Sequence, residues 1–248
     1  MKNSQPLDPA RRLRRMHDHL LKIYGPQHWW PSKATFEVVI GAYLTQNTSW
    51  KVAQVSIENL RRVGTLTIDG LRAIALDELQ TLIRPSGFQT RKAPALKAFV
   101  AMLDDEFGGS LDSLAATPTA TLRSRLLNLP GVGPETADAI LLYAFKHPVP
   151  VADEYLRRIV ERHRLIDPIP SRNRSGYESL AQLTRHAFAS DPVDSRAQLF
   201  NEFHALTVAV GKAHCGRIAR CADCPLLEDL KYSKGKKDGK PTSTRQAS

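Results

Sequence analysis

The chain has 248 residues, 42% of them apolar and 24% charged, and a formal net charge of +10. That length suits one large domain or two small ones with a sizeable core, and the composition excludes wholesale disorder. No apolar run approaches the roughly 18–20 residues of a membrane span, and the basic N-terminus MKNSQPLDPARRLRR lacks the apolar stretch of a secretory signal.

Helix follows helix along the chain. Leu13, Met16, Leu20 and Ile23 fall at helical spacing, and Gly25-Pro26 ends that element. FEVVIGAYLTQ comes next. VAQVSIENLRRVG aligns Val52, Val55, Asn59 and Val63 and stops at Gly64. LRAIALDELQTLI reads as one broken helix or two short ones. APALKAFVAMLDDEFGG carries Leu96, Phe99, Val100, Leu103 and Phe107 on one stripe and ends in Gly108-Gly109. TATLRSRLLNL, PETADAILLYAF, EYLRRIVERH, GYESLAQLTRHAF and AQLFNEFHALTVAVG complete the series. Hairpin dipeptides flanked by alternating apolar residues are missing, so the predicted class is all-α. The tail KYSKGKKDGKPTSTRQAS, residues 231–248, reads as basic and disordered. Residues 1–15 carry a net +4 and residues 231–248 a net +5, so the body between them is nearly neutral. The tail is either a solubilising end or an arm for phosphates. In the second case its deletion weakens polyanion binding and its salt dependence.

The sharpest local feature is Leu129-Pro130-Gly131-Val132-Gly133, with Pro134 opening the next helix. Two glycines one residue apart permit a tight turn and close approach by another backbone. The turn's amides and the new helix N-terminus can then bind a phosphate. An ordinary helix–helix turn is the plainer alternative.

LPGVGPETADAILLYAF followed by HPVPVADEYLRRI resembles the helix–hairpin–helix DNA glycosylases, in the endonuclease III branch. The likeness runs through YLTQNTSW to the cysteines and covers roughly residues 15–230. It implies a two-domain all-α fold with the active-site cleft between the domains. Residues 34–147 would form a central six-helix domain, with the hairpin motif at about 118–145. Residues 1–33 and 148–230 would form the second domain.

The resemblance assigns catalysis to Asp153, about twenty residues beyond the hairpin. Breaking a C1′–N bond develops oxocarbenium character, which a carboxylate can stabilise while it orients or deprotonates a water. Asp153 also stands where it could cap the helix EYLRRIV, and the two roles are compatible. Bifunctional members carry a lysine just after the hairpin, and Glu135 stands there instead. A glutamate forms no Schiff base, so a monofunctional glycosylase without lyase activity is expected. Gln46 matches the residue that fills the space of a flipped base, and Leu129, Gly131, Val132 and Gly133 match the hairpin that grips DNA.

Trp29, Trp30 and Trp50 flank this region. The strings H-W-W-P and L-T-Q-N-T-x-aromatic look like the bacterial 3-methyladenine glycosylases, whose matching aromatics line the base pocket together with the glutamate matching Glu135. Indole faces favour cationic rings, and N3- or N7-alkylated purines are cationic with labile glycosidic bonds. Core packing is the alternative for the indoles. Lys212 approaches the pocket by resemblance, or is a solvated lysine at a helix end.

Cys215, Cys221 and Cys224 are spaced C-x5-C-x2-C, against the branch's C-x6-C-x2-C-x5-C around a [4Fe–4S] cluster. The fourth position is Leu230, so these are read as degenerate cluster residues and no cofactor or metal is expected; the alternatives are a cluster, or Zn²⁺ held by the cysteines with His214, whose place next to Cys215 makes joint ligation awkward. Three cysteines fit a reducing cytoplasm. The expected partner is double-stranded DNA with a damaged base, bound by a monomer. The rivals are a glycosylase for oxidised pyrimidines or mismatched bases, a lyase using another amine, and a non-catalytic DNA-binding relative.

Overall fold

The computed structural model describes residues 8–31 and 34–234. Among these the protein is helical, with no β-strand beyond an isolated bridge between Cys215 and Ala219. No helix is long and apolar enough to cross a membrane among the described residues.

The first helix, α1 (Pro9–Tyr24), is capped by the Asp8 carboxylate, which accepts from the Arg11 amide at 3.2 Å, and stopped by Gly25 at φ +68°. It buries Leu13, Met16 and Leu20, but Ile23 points outward and leaves the expected stripe. α2 (Thr35–Leu44) is buried from Val38 to Leu44, as befits a helix apolar on every side. α3 (Trp50–Arg62) corrects the expected line: it buries Ala53, Ser56, Ile57 and Leu60, while Val55 and Val63 are about half exposed. Both lines satisfy helical spacing. The one carrying Ile57 and Leu60 removes more apolar surface from water, and Val63 already lies past the helix end.

The ambiguous stretch resolves into two short helices, α4 (Ile68–Ala73) and α5 (Leu76–Ile83), with Thr67 capping the first. α6 (Gln89–Phe107) starts earlier than expected and tolerates Pro94 in its second turn. It buries Leu96, Phe99, Val100 and Leu103. α7 (Leu111–Ala115), capped by Ser110, was not expected. α8 (Thr119–Asn128) and α9 (Pro134–Ala139) follow, and α9 runs on as a π-helical turn, Ile140–Ala144. The stretch 34–147 therefore holds eight described α-helices rather than six, because α4 and α7 are separately capped single turns.

α10 (Glu154–Arg162), α11 (Arg174–Ala187), α12 (Arg196–Ala213) and α13 (Leu227–Lys234) complete the chain. α13 continues through residues 231–234, so the tail expected to be disordered from 231 begins as helix; residues 235–248 lie outside the described residues. α2 packs on α3, α6, α9 and the π turn, with α4, α5 and α7 against α6 or α3. α1 packs on α11 and α12, and α10 on α12. The two groups meet where α11 touches α9 and α12 touches the π turn, and Asp153 opens α10 beside that seam.

Candidate active site

The hairpin between α8 and α9 is held by its apolar residues: Leu129 and Val132 are half-buried against the core. Gly131 has φ +75°, a left-handed conformation that favours glycine, and the Leu129 carbonyl accepts from the Val132 amide at 3.3 Å. Gly133 caps α9, and Pro134 occupies the first helical position, where its missing N–H costs nothing. Glu135 is the next residue and therefore leaves the hairpin at its rim.

Gln46 meets the hairpin from the other side. Its amide nitrogen donates to the Gly131 carbonyl and to Thr136 Oγ1, both at 2.9 Å. The loop that carries Gln46 is fastened by a buried lysine that the sequence reading did not single out. Lys92 Nζ donates to the carbonyls of Leu44 (2.8 Å), Gln46 (3.0 Å) and Ser86 (2.9 Å). Burial lowers this ammonium to about 8.

From the π turn the chain passes through His147-Pro148-Val149-Pro150 to Asp153. His147 anchors the link, with its ring nitrogens at Thr119 Oγ1 (2.8 Å) and the Ala115 carbonyl (3.1 Å). The Asp153 side chain is buried. Its Oδ1 caps α10 by accepting from the Leu156 amide at 2.8 Å. Its Oδ2 lies 3.7 Å from His204 Nε2 on α12. The cap therefore takes one oxygen and leaves the other for chemistry.

Asp153 and Glu135 line one cleft of about 320 Å³, together with Gly133, Ala152, Glu154 and Tyr177 among others. The acids that surround Asp153 stand in different environments. Glu154 is surrounded by arginines, and the hydrogen bond from Arg157 first of all lowers it to about 2. Glu135 has no such partner. It is exposed to the cleft, but protein surrounds it elsewhere, and burial followed by the Asp153 charge pushes its carboxyl up to about 7. Asp138, one turn further along α9, turns away from the cleft and is pinned. Arg123 donates to it at 2.6 and 3.0 Å, and the Tyr177 hydroxyl donates at 2.8 Å.

The three tryptophans are brought together, but against one another rather than along that cleft. Ring centroids lie 5.4 Å apart for Trp29 and Trp30, 5.5 Å for Trp29 and Trp50, and 4.9 Å for Trp30 and Trp50. Gly41 makes this possible: a Cβ there would stand 2.7 Å from the Trp30 indole. A glycine inside an apolar helix was the available signal for this close approach. Trp30 also meets the Tyr143 ring at 5.3 Å, and the Tyr143 hydroxyl hydrogen-bonds His204 Nδ1. The indole cluster thus connects to Asp153 through Tyr143 and His204. Neither residue was singled out in the sequence, because each sits in a helix that reads as plain core. Lys212 is exposed in the last turn of α12 and does not line the cleft. The neighbouring Gly211 admits Tyr155, whose ring would lie 2.3 Å from a Cβ there.

The cysteine region does not fit a four-thiolate cluster. Cys215, Cys221 and Cys224 are free thiols, and Leu230 stands at the fourth position. Cys215 Sγ accepts from Arg162 Nη1 at 3.0 Å, and burial pushes the Cys224 thiol up. No group of three or more His, Cys, Asp or Glu side chains that could hold a metal occurs among the described residues. Protein contacts hold the segment instead. Arg162 donates to the Gly216 and Arg217 carbonyls at 2.7 and 3.1 Å. Asp229 takes Arg12 Nε at 3.1 Å and His163 Nδ1 at 2.8 Å, tying α13 to α1 and to the end of α10.

Residues 40–183 match the HhH-GPD superfamily of base excision DNA repair proteins. A protein of Methanocaldococcus jannaschii, named "Putative DNA repair glycosylase MJ1434", is 36% identical over 84% of this chain and 91% of its own length. The structure of H. pylori 3-methyladenine DNA glycosylase bound to 1,N6-ethenoadenine superposes with a TM-score of 0.70 at 29% identity, covering 84% of this chain and 98% of that one. A trapped endonuclease III–DNA covalent intermediate shares the fold, with a TM-score of 0.70 at 23% identity over 91% and 97% of the two chains. The chain belongs to the HhH-GPD superfamily and is a DNA glycosylase resembling its endonuclease III branch.

Proposed function

We propose that this HhH-GPD glycosylase hydrolyses the N-glycosidic bond of alkylated purines of the 3-methyladenine type, after base flipping and without cutting the strand. One observation carries the reading: the cleft holds Asp153 beside Glu135, and no lysine lines it among the described residues. A cleft without an amine has no group for a Schiff base, which leaves water as the nucleophile. Of the three arginines in the cleft lining, Arg157 and Arg172 are paired with Glu154, so the side that carries Asp153 and Glu135 suits a cationic base, whose bond to C1′ is already weak. The H. pylori relative named for 3-methyladenine, at 29% identity, supports the same substrate class.

Asp153 then acts as the carboxylate that faces C1′. Its charge stabilises the oxocarbenium ion, and Oδ2 accepts the proton of the attacking water. The hairpin positions the strand through phosphates.

The test is chromatography of bases released from methylated, oxidised and deaminated duplexes. Release of 3-methyladenine, with no adduct trapped by borohydride on abasic DNA, is the expected result. Asp153→Asn should slow release by about 10³-fold or more while sparing DNA affinity. Release confined to oxidised or deaminated bases would overturn the substrate, and a strong covalent adduct would overturn the monofunctional mechanism.

A further inference from the structure

Asp153 has one oxygen committed to the α10 cap and one left over. What faces the second oxygen is the imidazole of His204, which comes from α12, far away in sequence. The Nε2 to Oδ2 distance is 3.7 Å, with both side chains largely buried. That is too long for a direct hydrogen bond. It is short enough for one water oxygen to sit about 2.8 Å from both atoms.

The other imidazole nitrogen fixes which atom carries the proton. Nδ1 is hydrogen-bonded to the hydroxyl of Tyr143, whose ring is fully buried. No other hydrogen-bond partner of that hydroxyl occurs among the described residues. A buried hydroxyl must place its proton on an acceptor or lose the bond. Tyr143 therefore donates to Nδ1, and the neutral ring carries its proton on Nε2, the nitrogen turned toward Asp153. The chain from the indole cluster through Tyr143 to His204 is packed throughout, with centroids 5.3 Å apart for Trp30 and Tyr143 and 5.7 Å for Tyr143 and His204. Its orientation is thus set by the core and not by solvent.

We propose that His204 is a second catalytic residue of the hydrolysis, with Tyr143 as its positioning residue: Nε2–H and Asp153 Oδ2 together hold the attacking water. The inference rests on the glycosylase reading above. His204 donates to one lone pair of the water, and the water donates one proton to Oδ2. The remaining lone pair is the one left free for C1′. It forms the O–C1′ bond as the C1′–N bond breaks, and the electrons of that bond go to the base, which leaves neutral if it was an alkylated cation. The water's proton passes to Asp153 and then to solvent. His204 transfers no proton and returns unchanged. A carboxylate alone would accept from a water in many orientations; a donor opposite it selects one.

Two readouts test this. The first is the single-turnover rate, with enzyme in excess, on whichever of the methylated, oxidised or deaminated duplexes the wild-type chain opens. The substrate assignment can then fail without affecting the comparison. His204→Leu, assayed well below its Tm because it also leaves the Tyr143 hydroxyl without its acceptor, should slow the chemical step by about 10- to 100-fold, with affinity for lesion-free duplex near wild type. His204→Gln, whose amide can place an N–H near the Nε2 position, should recover most of that loss. Tyr143→Phe should cost less, about two- to tenfold. Equal rates for the Leu and Gln variants, or a loss confined to affinity or Tm, would overturn the proposal. The second readout is the ¹⁵N imidazole spectrum of the unliganded protein, assigned with the His204 variants. The Nε2–H tautomer is expected in the wild type, and a mixed population in Tyr143→Phe. An Nδ1–H tautomer in the wild type would sink the water site whether or not a lesion is opened. Absence of base release from all three duplexes would instead bring down the reading of function.

Discussion

Glu135 and Asp138 lie one turn apart on the same short helix, and the protein treats them in opposite ways. Asp138 faces inward to Arg123 and Tyr177, which donate three hydrogen bonds to it and offset part of the upward push of burial on its carboxyl. It joins α8, α9 and α11 and serves the frame. Glu135 faces the cleft beside a second carboxylate, and no arginine or lysine ion pair holds it as Arg123 holds Asp138. The contrast separates a charge that is held for structure from one left without a structural partner, which is the state an active site can use. Composition cannot make this distinction, because both residues are acids in the string PETADA.

Three substitutions press on the contrast. Asp138→Ala should have the largest effect on stability. It leaves the Tyr177 hydroxyl without its acceptor and the Arg123 guanidinium with Glu178 as its remaining partner, at a cost of about 3 kcal/mol in urea unfolding. A cost under about 1 kcal/mol would mean that Asp138 is not the pin described. Lys92→Met keeps most of the unbranched stem of the side chain but leaves three carbonyls without their donor. A loss of about 2–3 kcal/mol is expected, read by the same unfolding experiment. DNA affinity should fall as well, because the Gln46 loop loses its anchor.

Glu135→Gln should show the smallest effect and a distinctive pH dependence. The folded protein keeps the Glu135 proton up to about 7, against an ordinary value of 4.5. Whatever stability this group supplies is therefore full below pH 4.5 and is lost as pH rises through 7. The glutamine variant has no proton to lose. It should gain on the wild type across that window and stay ahead above it, by less than about 1 kcal/mol because water reaches the carboxyl. Urea midpoints compared across the window check this. A gain that appears only on acidification would reverse the assignment.

Much of the architecture was legible in the chain itself. Periodicity, glycine stops and capping residues mark most of the helices, since all of these act within a few residues. The hairpin string, Asp153 and the glutamate at the lysine position could be named from their order. The errors follow from the same locality. α3 offered two lines at helical spacing, and only the neighbours decided that Ile57 and Leu60 go inside. For Lys212 the sequence left open a pocket position or a solvated helix end, and it lies exposed outside the cleft, whereas His204, two turns earlier, comes within 3.7 Å of Asp153.

What the sequence determined alone is therefore an all-α chain of capped amphipathic helices, with a glycine hairpin, a following aspartate and too few cysteines for a four-thiolate cluster. The tertiary structure decided which acid is pinned and which is left unpartnered, where Gln46 docks, and that the indoles stack on one another around Gly41. It also decided the link from Asp153 to His204, and from there to Tyr143, which is 61 residues from His204 along the chain. The physical reason is the range of the interactions. Helix propensity and capping act within a turn or two, whereas a site is made by side chains that only packing brings within a few ångströms.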